Sequence, residues 1–375
     1  MITMALIWLA ILLFKLFYTL KRLGVSPCAS AIKPADVTIM QPILSGDPAL
    51  ESVLGSNLHH LSGVCFLWLI DDDDDEAARI TRQLMLRYPQ CAIAIQRYIA
   101  APEGVNPKLF KLEQARAQVT TPVLLVLDDD ATLSASSLCR MLSGLNDNAL
   151  VTALPWYRAA GNTASRLLAQ FVNDNSAMTY LPLLPFTRPL TLNGMCYALK
   201  TQVLARVGGF APIMRHLTDD LALATLLVRA RVEIVQSTAT VRVQTSVPDF
   251  RRYCRQMHRW FLFATLLMRE KTAAVNAAIF MLQGLHPLLL WAMLVLTLYG
   301  GVAEAIILVA VLIVRYAALR RVQARVSDEI PAHPLLSVLS ELLQPLHLLH
   351  AMINRTIYWR SRRYRIFSND RFTSL

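Results

Sequence analysis

"LWLIDDDDDEAARI", residues 67–80, decides how the rest of the chain is read. An apolar run of the kind that makes a buried strand ends in five aspartates, Asp71 to Asp75, and a helix-like stretch follows. A run of like charges is ordinarily a solvated loop. Here the pattern recurs, because "PVLLVLDDD" (122–130) ends another apolar run in Asp128, Asp129 and Asp130. Apolar runs at 36–44, 64–70, 91–99, 122–128 and 149–156 read as strands, with helices at 47–61 and 75–88 between them. Such alternation predicts an α/β domain with a mostly parallel sheet covered on both faces. Ligands of open sheets bind beyond the carboxyl ends of the strands, which is where both acidic clusters fall.

Composition attaches that domain to a membrane. The 375 residues are 55% hydrophobic and carry a formal charge of +11, with mean hydropathy +0.41 and pI near 9.6. That is too apolar for a purely soluble protein and too polar for a bundle of spans. A basic balance suits nucleic acid or anionic lipid; at this hydrophobicity the expected partner is the membrane, with no nucleic acid. Residues 2–20 are long enough to cross a bilayer of about 30 Å. They lack the basic start and small-residue cleavage pattern of a signal peptide, and so read as an anchor. Further spans are expected at 275–299, with room for a kink at Pro287, and at 302–319. Lys21 and Arg22 after the first span, and Arg315, Arg320, Arg321 and Arg325 around the end of the third, place the middle section in the cytoplasm. The expectation is a multi-pass integral protein, in a bacterial inner membrane.

Residues 334–353 are interrupted by Glu341, Pro345, His347 and His350, and five arginines follow in 354–367. They read as an interfacial or re-entrant helix. His347 and His350 stand three apart, a spacing that more often means packing than ligation. The resulting organisation is an anchor at 1–22, a cytosolic catalytic domain at 35–250, an amphipathic segment at 251–274, two spans at 275–320 and a cytosolic or interfacial C-terminal region at 321–375. Six cysteines (Cys28, Cys65, Cys91, Cys139, Cys196, Cys254) show neither CxxC nor Cys/His spacing. They read as buried thiols of a reducing compartment.

Two acidic clusters at the lip of a sheet suit a nucleotide with its metal, since Mg²⁺ and Mn²⁺ take oxygen ligands and complete their shells with phosphate. In Asp128-Asp129-Asp130 the first and third side chains leave an extended backbone on one side. The pattern is common by chance, but packed carboxylates repel and a cation would relieve them. Asp219 and Asp220 in "HLTDDLALATLLVRA" (216–230) stand where a helix begins, and capping by Thr218 or Asp219 would account for them equally well. "DFRRYCRQMHRW" (249–260) reads as an amphipathic helix on the membrane surface. It ends in Gln256-x-x-Arg259-Trp260, which suits an arginine facing diphosphate and an aromatic face for an acceptor.

In this order the motifs resemble the family 2-like inverting glycosyltransferases with a GT-A fold. They most resemble the ceramide glucosyltransferase family, glycosyltransferase family 21, to which bacterial hopanoid glycosyltransferases are similar. "QPILSGDPAL" (41–50), "GVNPK" (104–108), "NGMCYAL" (193–199), "VGGF" (207–210) and "TIYWRSRRYRI" (356–366) resemble further segments of that family. The resemblance implies transfer of a hexose, glucose or N-acetylglucosamine, from a UDP-sugar to a lipid hydroxyl at the cytoplasmic face, with Mg²⁺ or Mn²⁺. The lipid would be ceramide, a hopanoid or similar. Carried over by position, Asp72 holds the uridine end of the donor, Lys108 meets donor phosphate, and Asp128 and Asp130 match the metal–diphosphate motif. Asp220 matches the general base, and Gln256, Arg259 and Trp260 lie beside acceptor and diphosphate. Gln41 replaces a family lysine, and 171–186 departs from the ceramide-type sequence, so the acceptor lipid is expected to matter there. Three rivals remain: a processive polysaccharide synthase, a nucleotidyl- or sugar-phosphate transferase, and a non-catalytic scaffold.

Overall fold

The computed structural model describes residues 1–26, 30–158, 161–244, 246–329, 333–359 and 362–374. Cys28, with Arg360 and Ser361 of the C-terminal motif, lies outside them. One sheet is built from β1 (Val37–Pro42), β2 (Cys65–Asp71), β3 (Ala92–Tyr98), β4 (Val123–Leu127), β5 (Ala131–Leu133), β6 (Ala149–Tyr157), β7 (Cys196–Lys200) and β8 (Glu233–Val243). Its order is β3-β2-β1-β4-β7-β6-β8-β5. The first four neighbours run parallel. Strand β7 is antiparallel to both β4 and β6, β6 and β8 are parallel, and β5 closes the far edge antiparallel to β8. All five expected strands are present; β5, β7 and β8 are additional.

The helices in chain order are α1 (Ile2–Leu23), α2 (Leu50–His60), α3 (Asp75–Arg87), α4 (Pro107–Ala115), α5 (Ala135–Leu142), α6 (Thr163–Tyr180), α7 (Thr201–Arg206), α8 (Asp219–Arg229), α9 (Phe250–Glu270), α10 (Ala273–Ile279), α11 (Leu285–Tyr299), α12 (Val302–Val326) and α13 (Pro334–Ile353). Successive strand residues face opposite sides, and both sides are apolar. Ile39, Phe66 and Trp68 meet α2, α3 and α5 through Leu54, Leu84 and Met141. Met40, Leu67 and Val126 meet α4, α7 and α8 through Leu112, Leu204 and Leu227.

Four helices among the described residues are long and apolar enough to cross a membrane: Ile2–Leu23, Ala273–Tyr299, Val302–Val326 and Pro334–Ile353. The last is the stretch expected to lie at the interface. Both of its ends lead back to the sheet domain, through Glu329 on Arg158 before it and Asn369 on Thr218 after it, and its acid has partners: Glu341 Oε2 accepts from Arg315 Nε at 2.5 Å, and its Oε1 lies 2.9 Å from His286 Nδ1. Arg315 also faces Asp174 at 3.7 Å, and Gln323 donates to the same carboxylate at 2.7 Å. Charges in an apolar layer are tolerated when paired in this way. Lys15, inside α1, donates to Gln283 Oε1 at 3.1 Å and to the Leu282 carbonyl at 3.3 Å. That carbonyl belongs to a π-helical turn, Phe280–Gly284, joining α10 to α11. Pro287 has no N–H for the carbonyl of Gln283 four residues back, so the irregular turn sits where proline chemistry requires it.

His347 lies 3.3 Å from the Tyr253 hydroxyl, and the His350 ring packs 4.3 Å from that of His258; both histidines are packing residues here. The expectation of buried thiols is corrected. Cys196 is buried and Cys65 and Cys91 are half-buried, but Cys139 and Cys254 are exposed. Both exposed thiols lie on the outer faces of surface helices, α5 and α9. The chain ends in a small antiparallel sheet of β9 (Thr356–Trp359), β10 (Arg362–Ile366) and β11 (Phe372–Ser374). Ile357 and Ile366 of this sheet pack on Leu217, Leu221 and Leu262, which docks it against the start of α8.

Candidate active site

The five aspartates each have a separate place. Asp71, at the end of β2, pairs with the buried Lys111 ammonium at 3.1 Å. Asp72 points outward, with its side chain 56% exposed and 3.2 Å from Arg97. Asp73 is exposed. Asp74 caps α3 by accepting from Ala77 N–H at 2.9 Å, and its other oxygen accepts from Ser45 N–H at 2.8 Å. Asp75 opens the first turn of α3, where a carboxylate complements the helix dipole.

The second cluster lies at the centre of the lip. Asp129 turns back to accept from Leu44 N–H at 2.7 Å, so with Asp74 it fixes the loop after β1. Asp128 turns towards α4. "GVNPK" is a helix start: the Asn106 side chain accepts from Lys108 N–H at 3.0 Å, and Pro107 takes the first-turn position where its missing N–H costs nothing. This start aims Lys108 at Asp128 (2.7 Å), at Asp219 (2.9 Å) and at the Gly194 carbonyl (2.9 Å). Burial draws the lysine pKa down, but the two carboxylates outweigh it and hold the ammonium well above its ordinary value. One cation thus ties β4, α4, α8 and the segment before β7 together.

Thr218 is the N-cap residue of α8, but its side chain makes no capping bond. Its hydroxyl donates to Asn369 Oδ1 at 2.6 Å, and its N–H donates to the same oxygen at 2.8 Å. Asp219 goes to Lys108, while Asp220 Oδ1 accepts from Leu221 N–H at 2.7 Å in the first turn of α8, which leaves its other oxygen for the site. Asp220 is partly buried beside Asp219, and burial together with that neighbouring carboxylate raises its pKa to about 7. Burial also raises Asp128, against the pull of Lys108, and raises Asp129 to about 7 with the repulsion of Asp130 added. A Cβ on Gly194 would stand 3.1 Å from the Asp220 Cβ, so any side chain there would press on Asp220.

Helix α9 brings Arg259 into the electrostatic range of Asp130 and Asp128. Its Nε is buried with no hydrogen-bond partner among the described residues, which leaves a guanidinium ready for an anion. Trp260 meets Tyr157 edge-on at 5.9 Å and stacks with Phe171 at 6.2 Å. Tyr180, at the other end of α6, lies near enough for the Asp220 charge to add to burial in raising its phenol to about 12. The segment 171–180 therefore runs from Trp260 to Asp220. Gln256, one turn before Trp260, is half-buried on the same helix.

Lys108, Asp128, Asp130, Asp220, Arg259 and Trp260 thus come together, and Asp72 stands apart on the outer lip. Sequence reasoning missed the Lys108–Asp219 bridge, Lys111, Arg97, Tyr157 and Asn369. Lys111 had a signal, being one helical turn beyond Lys108 and so on the same face. Asn369 had none, because its role depends on where the C-terminal sheet docks.

Among the described residues no three His, Cys, Asp or Glu side chains converge as a metal-ligand set. Asp128 and Asp130 nevertheless fit a divalent cation. Mg²⁺ needs only one or two protein carboxylates when phosphate and water complete its shell, and a cation would offset the burial of Asp128 and the repulsion between Asp129 and Asp130.

The model of the family described as glycosyl transferase family 21 matches residues 2–372, and the chain belongs to that family. Ceramide glucosyltransferase 3 of Caenorhabditis elegans is 23% identical over 193 residues, which are 49% of this chain and 40% of that protein. The matched stretch thus spans less than half of the relative's length. The mannosyltransferase of Pyrobaculum calidifontis, solved with GDP-Man and Mn²⁺, superposes with a TM-score of 0.52 at 14% identity, covering 90% of this chain and 99% of that one. The fold is of the GT-A glycosyltransferase kind, a mostly parallel curled sheet with candidate membrane helices attached.

Proposed function

We propose that, as a family 21 glycosyltransferase, this protein is an inverting membrane enzyme. It would move glucose or N-acetylglucosamine from a UDP-sugar to the hydroxyl of a lipid such as ceramide or a hopanoid, at the cytoplasmic face. The observation that carries the reading is the placement of Asp220, with its raised pKa, between the Lys108–Asp128 bridge and the aromatic run Trp260, Phe171 and Tyr180. A base, a diphosphate site and an apolar approach then lie together at one lip of the sheet. The ceramide glucosyltransferase relative supports glucose and ceramide as the first pair to try. Lys21, Arg22, Arg320, Arg321 and Arg325 at the ends of α1 and α12 support the cytoplasmic face.

In this mechanism Asp220 takes the proton from the acceptor hydroxyl as its oxygen bonds to the anomeric carbon. The bond from that carbon to the diphosphate oxygen breaks on the opposite face, and UDP leaves with the electron pair. Arg259, its Nε without a partner among the described residues, would face the leaving diphosphate, with Gln256 one turn away. Asp72 and Arg97 stand where the uridine end would reach the outer lip. A divalent cation at Asp128 and Asp130 would neutralise charge on the diphosphate. Membranes containing the protein, given single UDP-sugars, Mg²⁺ or Mn²⁺ and lipid extract, should yield a new glycolipid by mass spectrometry. It should vanish with a chelator and in Asp220→Asn. UDP release with no glycolipid would refute the lipid acceptor, and a glycolipid from Asp220→Asn at full rate would refute the base.

A further inference from the structure

A second cleft, of about 450 Å³, lies at the opposite edge of the sheet from β3, between β5 and β8 and the ends of two membrane helices. Its polar lining is led by Arg140 of α5, Arg158 after β6, Arg242 of β8 and Arg325 of α12, with the hydroxyls of Ser137 and Thr238. None of these belongs to the transferase centre. Arg140 reaches Thr238 Oγ1 at 3.2 Å. Arg158 is paired with Glu329 at 2.6 Å, and Arg242 stands 4.0 Å from the same carboxylate. Asp328 is the other acid at the cleft. Four guanidiniums therefore face two carboxylates, a surplus of positive charge on the residue type that grips phosphate oxygens in pairs.

Position identifies the occupant. Leu23, the last residue of α1, and Arg325, in the last turn of α12, both line the cleft. Both helices are long and apolar enough to span, so the cleft opens at headgroup depth. Val314, eleven residues before Arg325 and within about 20° of it around a helix of 3.6 residues per turn, is 40% exposed. Beyond the arginines the exposed part of α12 is apolar, with Ile306, Val309, Ile313 and Val314. A soluble phosphate would have no use for it, whereas an acyl chain would.

We propose that this cleft binds the headgroup phosphate of an anionic phospholipid, with Glu329 occupying Arg158 and Arg242 until the lipid displaces it. The full chain, purified in neutral detergent, would be titrated with phosphatidylglycerol or phosphatidylcholine and bound lipid read by native mass spectrometry. Phosphatidylglycerol should bind preferentially. The double variant Arg140→Gln, Arg325→Gln should weaken it about tenfold or more, while Glu329→Gln, which frees two arginines, should tighten it. Excess inorganic phosphate should leave the lipid bound; its displacement would make this a site for free anions and overturn the lipid assignment. Equal binding of both lipids, or affinities unchanged in the double variant and in Glu329→Gln, would overturn the proposal altogether. Glu329→Gln alone decides if the double variant does not fold, because Glu329 is exposed and holds no core position.

Discussion

A carboxylate that must accept a proton near neutrality needs two things, a pKa close to working pH and a fixed direction. Asp220, the proposed base, has the first through burial and the adjacent Asp219. A base works only when ionised, so turnover should rise as pH climbs through about 7 and be lost below it. A kcat profile that is flat on the acid side down to the ordinary carboxylate range would contradict this. General-base help is typically worth about 10²–10⁴ in rate, and Asp220→Asn should lose roughly that much while still binding UDP. Lys108 is a different kind of residue. Its two carboxylate partners are mostly buried, and Lys108→Met would leave both without their cation. A loss of stability on the order of 3 kcal/mol is expected, read as a lower thermal midpoint in detergent. An unchanged midpoint would show that solvent, not Lys108, satisfies Asp128 and Asp219.

At the level of elements, the start of α8 is held from two sides. Asn106, capping α4, donates to the His216 carbonyl at 3.1 Å. Asn369, in the C-terminal tail, accepts two bonds from Thr218, while its carbonyl accepts from Leu217 N–H at 2.8 Å. The tail thus orients the helix that carries Asp220 without touching the reacting atoms. Asn369→Ala would strip a buried pair of donors of their acceptor, at a cost of about 1–3 kcal/mol. The expected kinetic result is a lower kcat with KM for the UDP-sugar little changed, partly restored by Asn369→Asp, which keeps the acceptor oxygen. Equal losses in kcat and UDP binding would point to general unfolding instead.

Across the whole molecule, a polar seam joins the sheet domain to the candidate membrane helices. Asp174 of α6 meets Arg315 of α12, which meets Glu341 of α13, which meets His286 of α11. Removing one member leaves a buried charge uncompensated. Glu341→Ala should therefore cost about 3–5 kcal/mol, seen as loss of monodisperse protein on extraction, while a matched change at the exposed Leu335 should not. Because α6 also carries Phe171 and Tyr180, activity should fall faster than UDP binding in the same variant.

The sequence by itself determined five of the sheet's eight strands and the two acidic clusters at its lip. Strand and helix periodicity is a local property, and motifs such as "GVNPK" encode their own cap and turn. Asp128, Asp130, Asp220, Arg259 and Trp260 were picked out by their order along the chain, which resembles the family's. What each aspartate does was not legible from their adjacency. Neighbouring residues on one loop point in different directions, so Asp71 meets Lys111, Asp72 meets Arg97 and Asp74 caps a helix. Likewise the strands β7 and β8 and the partner of Thr218 were set only when distant segments paired, since the energy of a buried hydrogen bond or ion pair depends on which group arrives opposite. The interruptions at Lys15 and Glu341 read as defects in apolar helices, and tertiary structure alone made them the polar contacts between those helices.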